Sequence, residues 1–197
     1  FPGATPEMFR WWFWWHSVEA ARYTLWFPWN HVSALARNRD VLTAPGLSDE
    51  QRYLGNSHVI DEYIGAELQR ITIDFVAPGE LGIDQNALAG ADIHGSACGY
   101  VSLRKPGIRC ATMVHLIRDT DDGFELRSRY FLADHLVLGR GRTALDIDKA
   151  VPAPMKARLA GERLAYEQLL HDQIEFTHLA GLLPDLYAEF GPGKNSA

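Results

Sequence analysis

Residues 155–183, MKARLAGERLAYEQLLHDQIEFTHLAGLL, carry apolar side chains at helical intervals and follow Pro152 and Pro154, which favour a helix start. The pattern predicts one long helix over this stretch. Leu170 and Ile174, among other apolar residues, indicate that one face of the helix is buried or half-buried. An ionisable side chain on such a face needs a partner, because an unpaired charge in an apolar setting is costly.

Within this helix, the segment HDQIE places His171 and Glu175 four residues apart, so that both lie on one helix face. Imidazole and carboxylate groups both bind metal ions, and a single rigid element would supply two ligands here. The same spacing is also typical of a solvated pair on a helix surface. His178, three residues after Glu175, shares this face and is an alternative to His171 as a ligand.

The middle of the chain is rich in residues that favour strands. Four strands are predicted, the last two joined as a hairpin by the turn DTDDG: residues 67–76, 91–103, 108–118 and 124–133. In that hairpin, His115 and Tyr130 are close to opposite one another and point inward. Antiparallel strands followed by one long helix predict an α+β fold, in which a curved sheet surrounds the C-terminal helix and encloses a cavity.

The N-terminal segment, residues 1–29, holds all six Trp residues of the chain. Such a concentration is typical of a dense aromatic core or an oligomer contact, and it also suits the wall of an aromatic ligand pocket. Residues 7–19 are predicted to form a short helix and residues 22–26 an extended segment. Residues 28–37 are predicted to be a turn leading into another short helix, which His31 opens.

Size and composition favour a single domain, residues 1–197, with a small-molecule partner. A chain of 197 residues with 47% apolar residues is long enough to bury one core. The net charge of −6, without a run of Lys or Arg, argues against nucleic acid as a partner. No apolar stretch reaches the roughly 18 residues of a membrane span, so we expect no membrane partner.

Only two cysteines, Cys98 and Cys110, occur, and their spacing suggests neither a disulfide framework nor a thiolate zinc site. We therefore expect a reducing, cytoplasmic setting. The chain begins at Phe1 and not at Met, so we expect residues upstream of it. An oligomerisation segment could lie there, and a homodimer is left open.

The other histidines and the acids on buried-looking segments are candidates for further ligands. His58, His94 and His135 lie in predicted polar loops or at strand ends, and His16 is more typical of a core or capping residue. Glu62, within HVIDEYIG, has apolar neighbours, where a carboxylate needs a cation or hydrogen-bond donors. A surface acid in a loop is the alternative interpretation of Glu62.

Five segments together resemble the 2,4-diacetylphloroglucinol hydrolase family, which includes phloretin hydrolase-like enzymes. They are RYTLWFPWNH (22–31), IDEYIG (60–65), VHLIRD (114–119), SRYFLADH (128–135) and HDQIE (171–175), and they span nearly the whole chain. The resemblance implies a Bet v 1-like helix-grip fold and a zinc-dependent hydrolase. The bond cleaved would be the carbon–carbon bond between a phenol ring and an acyl group.

Carried over residue by residue, the resemblance implies four zinc ligands: His31, Glu62, His171 and Glu175. Three further residues fall where the family has pocket residues near the substrate ring: Tyr23, His115 and Tyr130. In the mechanism that we infer, the two tyrosines hold the phenolic oxygens and the histidine delivers or relays a proton to the ring. Iron or manganese would suit the same ligands, and zinc is preferred through the resemblance alone.

One position departs from the family pattern. A member of the family has an Asn three residues after the first zinc-binding His, in contact with a phenolic hydroxyl, and this sequence has Ala34 there. Ser33 is a candidate substrate contact that would compensate, and Asn30 is another. The departure concerns recognition of the ring, so the expected substrate is a small acylated phenol whose identity is open.

The main alternative to an enzyme is a non-catalytic carrier of a hydrophobic aromatic ligand, because a helix-grip cavity lined by aromatic side chains suits such a ligand. A carrier has no need of four converging metal ligands. The convergence of His31, Glu62, His171 and Glu175 therefore distinguishes the two functions.

Overall fold

The computed structural model describes residues 1–193, and an antiparallel sheet of seven strands in chain order lies at the centre of this part. The strands are β1 His31–Ala36, β2 Ser57–Ile64, β3 Glu67–Val76, β4 Ile93–Leu103, β5 Ile108–Thr120, β6 Gly123–Leu138 and β7 Leu145–Asp146. The predicted strand at residues 67–76 is confirmed, and the other three predicted strands are present with shifted or longer ends. Each strand pairs with the next one along the chain.

Helices precede, interrupt and follow the sheet. They are α1 Pro6–Trp15, α2 Ala20–Trp26, α3 Arg39–Thr43, α4 Asp49–Tyr53, α5 Gln85–Gly90, α6 Ala153–Leu159 and α7 Glu162–Phe190. The predicted α+β class, with a curved sheet and a long C-terminal helix, is confirmed. None of the helices within residues 1–193 is both long and apolar enough to cross a membrane.

The prediction of one helix over residues 155–183 is wrong at both ends. The chain breaks between α6 and α7 at Ala160 and Gly161, where a side chain at position 161 would meet the Ala157 carbonyl oxygen at 2.7 Å. At the other end, α7 continues past Pro184, although proline removes one backbone hydrogen bond inside a helix. Leu186, Tyr187 and Phe190 of the last turns pack against the core, and this packing stabilises the helix beyond the proline.

The buried face of α7 differs from the one expected. Leu170 and Ile174 are exposed, at 43% and 51% of their full surface. The buried residues recur at four-residue intervals instead and are His171, Glu175, Leu179 and Leu183, with Asp172 and Phe176 beside them. The polar residues His171, Asp172 and Glu175 therefore lie on the interior face of the helix, which is the reverse of ordinary amphipathic patterning.

Residues 20–26 form the helix α2, so the predicted extended segment is wrong. Tyr23 and Trp26 lie one turn apart and are both buried, and this packing outweighs the strand preference of the local sequence. Trp11 and Trp12 of α1 are completely buried in the same aromatic core, whereas Trp29 is 86% exposed. The N-terminal segment thus contributes mainly to the core.

Residues 31–36 form the strand β1, so the predicted short helix opened by His31 is also wrong. The backbone of β1 pairs with β2, with His31 opposite Glu62 and Ala36 opposite His58. A register shift between His31 and Ser33 lets His31 and Ala34 both point into the interior. Pairing with a strand that lies about 25 residues further along the chain overrides the local preference for a helix.

The interior face of α7 is expected to contribute strongly to stability. Leu179 is completely buried, and Leu179→Ala should lower the free energy of unfolding by about 2–5 kcal/mol because it leaves a cavity. Leu169 on the same helix is 65% exposed, so Leu169→Ala should change that energy by no more than about 0.5 kcal/mol. Urea denaturation of both variants measures the difference, and equal effects would contradict the assigned face.

Candidate metal centre

Three elements of the fold bring four potential metal ligands together. His31 of β1 and Glu62 of β2 are cross-strand partners in the sheet, and both side chains point inward. His171 and Glu175, one turn apart on α7, face them from the helix. All four residues are buried, so their polar atoms depend on one another or on a bound ion for partners.

The distances among the four side chains suit a single ion. The Nε2 atom of His31 lies 3.2 Å from Nε2 of His171, 3.2 Å from Oε2 of Glu175 and 3.8 Å from Oε2 of Glu62. The Nε2 atom of His171 lies 3.7 Å from Oε2 of Glu175 and 4.0 Å from Oε2 of Glu62. A tetrahedral ion with ligands at about 2.0–2.1 Å separates them by roughly 3.3 Å. Ligand atoms of His31, Glu62 and His171 also form a group within 4.8 Å of one another.

Neighbouring groups fix the orientation of two of these side chains. Nδ1 of His31 lies 3.2 Å from the Tyr23 carbonyl oxygen, which can only accept, so Nδ1 carries the hydrogen and Nε2 keeps its lone pair for a metal. The Tyr23 ring stacks on the His31 ring at 3.8 Å, and its hydroxyl donates to Glu62. Trp26 donates to the Glu175 carbonyl at 3.0 Å and ties α2 to α7.

The electrostatics of the centre call for a cation. Burial, together with the charge of His171, lowers the pKa of His31 to about 2, and burial lowers the pKa of His171 to about 4. Burial raises the pKa of Glu62 to about 7 and that of Glu175 well above its ordinary value. No Lys or Arg within residues 1–193 pairs with either carboxylate. A bound divalent ion would supply the missing positive charge.

The other predicted ligand candidates lie elsewhere. His178, the alternative to His171, contacts the Trp26 carbonyl oxygen through Nδ1 at 2.7 Å. His94 and His135 are exposed and lie near acids on the sheet, at 3.9 Å from Asp119 and 3.6 Å from Asp146. These three histidines contact surface residues or a backbone carbonyl, and they lie outside the group formed by His31, Glu62, His171 and Glu175.

A small cavity of about 40 Å³ lies beside the four side chains. The predicted pocket residues Tyr23, His115 and Tyr130 all line it. His115 pairs with Ser128 and Tyr130 with Met113, so the two inward residues are offset by two residue pairs along the hairpin, with their rings 5.7 Å apart. Burial lowers the pKa of His115 to about 3, which keeps this imidazole neutral.

Two further buried histidines line this cavity. The assignment of His58 to a polar loop or strand end is wrong, and that of His16 to a core or capping position is confirmed. His58 lies inside β2, completely buried, and neither of its ring nitrogens has a hydrogen-bond partner among the described residues. His16 follows α1 and donates from Nδ1 to the Trp12 carbonyl oxygen at 2.7 Å. Alternation of inward residues along SHVIDEYI would have placed His58 on the same face as Glu62, had β2 been recognised as a strand.

Asp172 is a further buried acid that sequence reasoning missed. It accepts hydrogen bonds from Ser128 Oγ at 2.7 Å and Gln168 Nε2 at 3.1 Å. Burial and the negative charge of Asp172 raise the pKa of Tyr130 well above its ordinary value. Asp172 therefore links α7 to β6 and helps to keep the Tyr130 hydroxyl neutral.

The residues proposed to compensate for Ala34 lie outside this cavity. Ala34 is completely buried on the inner face of β1. Ser33 pairs with Asp61, and it is absent from the described residues that line the cavity. Asn30 donates its side-chain amide to the Tyr63 carbonyl at 2.8 Å. A substrate contact by Ser33 stays a prediction that the geometry does not support.

The antiparallel sheet and the long helix define an α+β protein. Between them, two His and two Glu side chains are buried beside an aromatic cavity and form a group able to bind a metal. The chain belongs to the DAPG hydrolase PhiG domain family, whose model matches residues 1–188. This match confirms the resemblance noted in the sequence.

Individual relatives agree with the family assignment. The chain is 41% identical over 192 residues, 97% of its length, to a 2,4-diacetylphloroglucinol hydrolase of Pseudomonas protegens and, equally, to one of a Pseudomonas species. It is 29% identical over 189 residues, 95% of its length, to a phloretin hydrolase of Eubacterium ramulus. The chain spans 62%, 65% and 65% of these relatives, a little under two thirds of their length.

Proposed function

We propose that the protein hydrolyses the carbon–carbon bond between a phenol ring and an acyl group, using a zinc ion held by His31, Glu62, His171 and Glu175. The observation that carries this proposal is the meeting of these four side chains in a buried place beside an aromatic cavity. The names of the relatives, hydrolases of 2,4-diacetylphloroglucinol and of phloretin, support the same chemistry. A single helix-grip domain of the Bet v 1-like type is part of the proposal.

The ligand set suits zinc, because two neutral imidazoles and two carboxylates balance the charge of a dication. When bound, zinc would polarise the acyl oxygen and lower the pKa of a water molecule. Iron and manganese accept the same ligands, and zinc is chosen through the resemblance to the family.

The reaction adds water across the bond between ring and acyl carbon. The hydroxyl joins the acyl carbon, which becomes a carboxylic acid, and the ring carbon leaves with the bonding electron pair and takes up a proton. A ring carbon is a poor leaving group while the ring is aromatic, so protonation of this carbon in a ketone tautomer lowers the barrier. The protein must therefore hold the phenolic oxygens and deliver a proton.

Tyr23 and Tyr130 are the residues proposed to hold those oxygens. Because Tyr23 donates its hydrogen to Glu62, its oxygen stays free to accept a hydrogen bond from a substrate hydroxyl. Burial raises the pKa of both tyrosines well above the ordinary value, so both hydroxyls remain protonated at neutral pH. Tyr23 is positioned by its hydrogen bond to Glu62, and the negative charge of Asp172 helps to keep Tyr130 protonated.

His115 is the proposed proton relay. Its low pKa, caused by burial, means that it does not store a proton as an imidazolium at neutral pH. A neutral imidazole can instead accept a proton on one nitrogen while it releases the proton of the other. This favours relay over direct donation from a charged histidine. The four converging ligands likewise favour the hydrolase over a non-catalytic carrier, which has no use for them.

Removal of the metal tests the proposal. Chelator-treated protein is expected to release acid from acylated phenols at least about 100-fold more slowly, and one equivalent of zinc should restore the rate. Acid release and bound metal are measured on the same sample across a panel of acylated phenols. Full activity of metal-free protein would contradict the metal-dependent mechanism. Absence of acid from the whole panel with zinc-loaded protein would contradict the hydrolase and leave the carrier.

A further inference from the structure

His58 is a buried histidine to which the mechanism described above gives no role. Its side chain is completely buried in β2, and neither ring nitrogen has a hydrogen-bond partner among residues 1–193. Burial lowers the pKa of His58 well below its ordinary value, so the ring is neutral and carries one donor and one acceptor. Because buried polar groups without partners are costly, the fold keeps this imidazole at a cost that an apolar side chain would avoid.

His58 lines the small cavity of about 40 Å³ beside the candidate metal centre. His58, Ile60 and Glu62 are the buried members of an alternating stretch of β2, and all three line this cavity. At about 3.3 Å per residue, His58 lies roughly 13 Å along the strand from the proposed ligand Glu62. The small cavity thus extends from the candidate metal centre towards the unpartnered imidazole.

The size of the small cavity restricts what can fill it. A cavity of about 150 Å³ takes up a molecule such as benzene, so a volume of about 40 Å³ does not accommodate a phenol ring. A water molecule needs only about 10–15 Å³, together with two to four polar partners. The small cavity therefore has room for about two or three water molecules, if enough polar groups line it.

Three imidazoles supply polar groups to the small cavity. Burial lowers the pKa of His16 to about 4, so this ring is also neutral. Its Nδ1 atom donates to the Trp12 carbonyl oxygen, which leaves Nε2 as an acceptor, and its ring lies 5.8 Å from that of His58. His115 lines the same cavity, and its Nδ1 atom has no partner among the described residues. Together with both nitrogens of His58, these atoms meet the hydrogen-bonding needs of enclosed water.

We propose that the small cavity holds ordered water and that His58 is the positioning residue that anchors this water for the reaction. The inference rests on the proposed function, in which each turnover consumes one water molecule. The hydroxyl of the attacking water joins the acyl carbon, and its remaining proton passes into the cavity water. His115 takes a proton from the cavity water and delivers one to the ring carbon. Proton release and uptake balance, so the cavity water returns to its initial state after each turnover.

The His58→Leu variant tests this role, because leucine is similar in size to histidine and has no polar side-chain atom. In the zinc-loaded variant, kcat should fall by at least about tenfold while KM changes by less than about threefold, since proton transfer and not substrate binding is impaired. Bound zinc should stay stoichiometric. The urea midpoint should stay equal or rise, because a costly buried polar group has been removed. His58→Gln can still hydrogen-bond to water and should keep kcat within about fivefold of the unaltered protein.

His94→Leu is the matched control, because the His94 side chain is half exposed on the sheet and lies near Asp119. This control should leave kcat, KM and bound zinc unchanged. A lower urea midpoint with unchanged kcat in His58→Leu would show a structural role alone and overturn the proposal.

A high-resolution crystal structure of the unaltered protein tests the water directly. Ordered water should lie within about 3.2 Å of a His58 ring nitrogen, and a small cavity without water density would overturn the proposal. Failure of the proposed function gives a different result. The unaltered, zinc-loaded protein would then release no acid from any acylated phenol, whatever the density beside His58.

Discussion

The Glu175→Ala variant is expected to lose bound metal and turnover together. The carboxylate of Glu175 lies within 3.2 and 3.7 Å of the two imidazole Nε2 atoms, and it is buried where water cannot replace it freely. Its removal leaves three ligands and less negative charge to hold a dication. Turnover should fall at least about 1000-fold, equivalent to roughly 4 kcal/mol in the barrier. His171→Ala should have the same effect.

Metal content and acid release are measured on the same preparations of these variants. The matched control is His178→Ala, because His178 lies on the same helix and contacts the Trp26 carbonyl oxygen and not the metal centre. This control should keep stoichiometric metal and normal turnover. Circular dichroism shows whether each variant is folded. A folded Glu175→Ala protein that retains metal would refute the assignment of this residue as a ligand.

Much of the fold follows from local sequence. Residues 67–76 combine β-branched and aromatic side chains, and this local preference is sufficient to place β3 at its observed bounds. For residues 20–36, local propensity predicts the wrong secondary structure. There α2 is stabilised by burial of Tyr23 and Trp26, and β1 is stabilised by pairing with β2. Both effects depend on residues distant in the sequence, which local propensity does not take into account. The errors therefore fall where tertiary contacts decide the structure.

The candidate metal centre was likewise predictable from local sequence only in part. The spacing of His171 and Glu175 is a local property of one helix and was visible in the sequence. His31 and Glu62 become neighbours only through strand pairing, so their part in the centre came from resemblance to a family and not from spacing. His58 was assigned to a polar loop or strand end because polar residues on the inner face of β2 hide the alternation of this strand.

The Tyr130→Phe variant is expected to keep the metal and lose most of the rate. The substitution removes only the hydroxyl of a side chain that lines the cavity with His115 and is not among the four proposed ligands. The phenolic oxygen of the substrate then loses a hydrogen bond that favours the ketone tautomer. Acid release should fall by about 100-fold, a typical effect for a group that assists proton transfer. Metal content measured by atomic emission should remain stoichiometric.

Tyr23→Phe provides the contrast, because Tyr23 donates to the proposed ligand Glu62 and stacks on His31. Loss of that hydrogen bond should weaken metal affinity by about 10-fold or more in addition to slowing the reaction. Tyr166→Phe, on a residue that is 62% exposed on α7, is the control and should change neither quantity. If Tyr130→Phe lowered metal affinity as much as Tyr23→Phe, the two tyrosines would not have separate roles. Unchanged turnover in Tyr130→Phe would remove this hydroxyl from the mechanism.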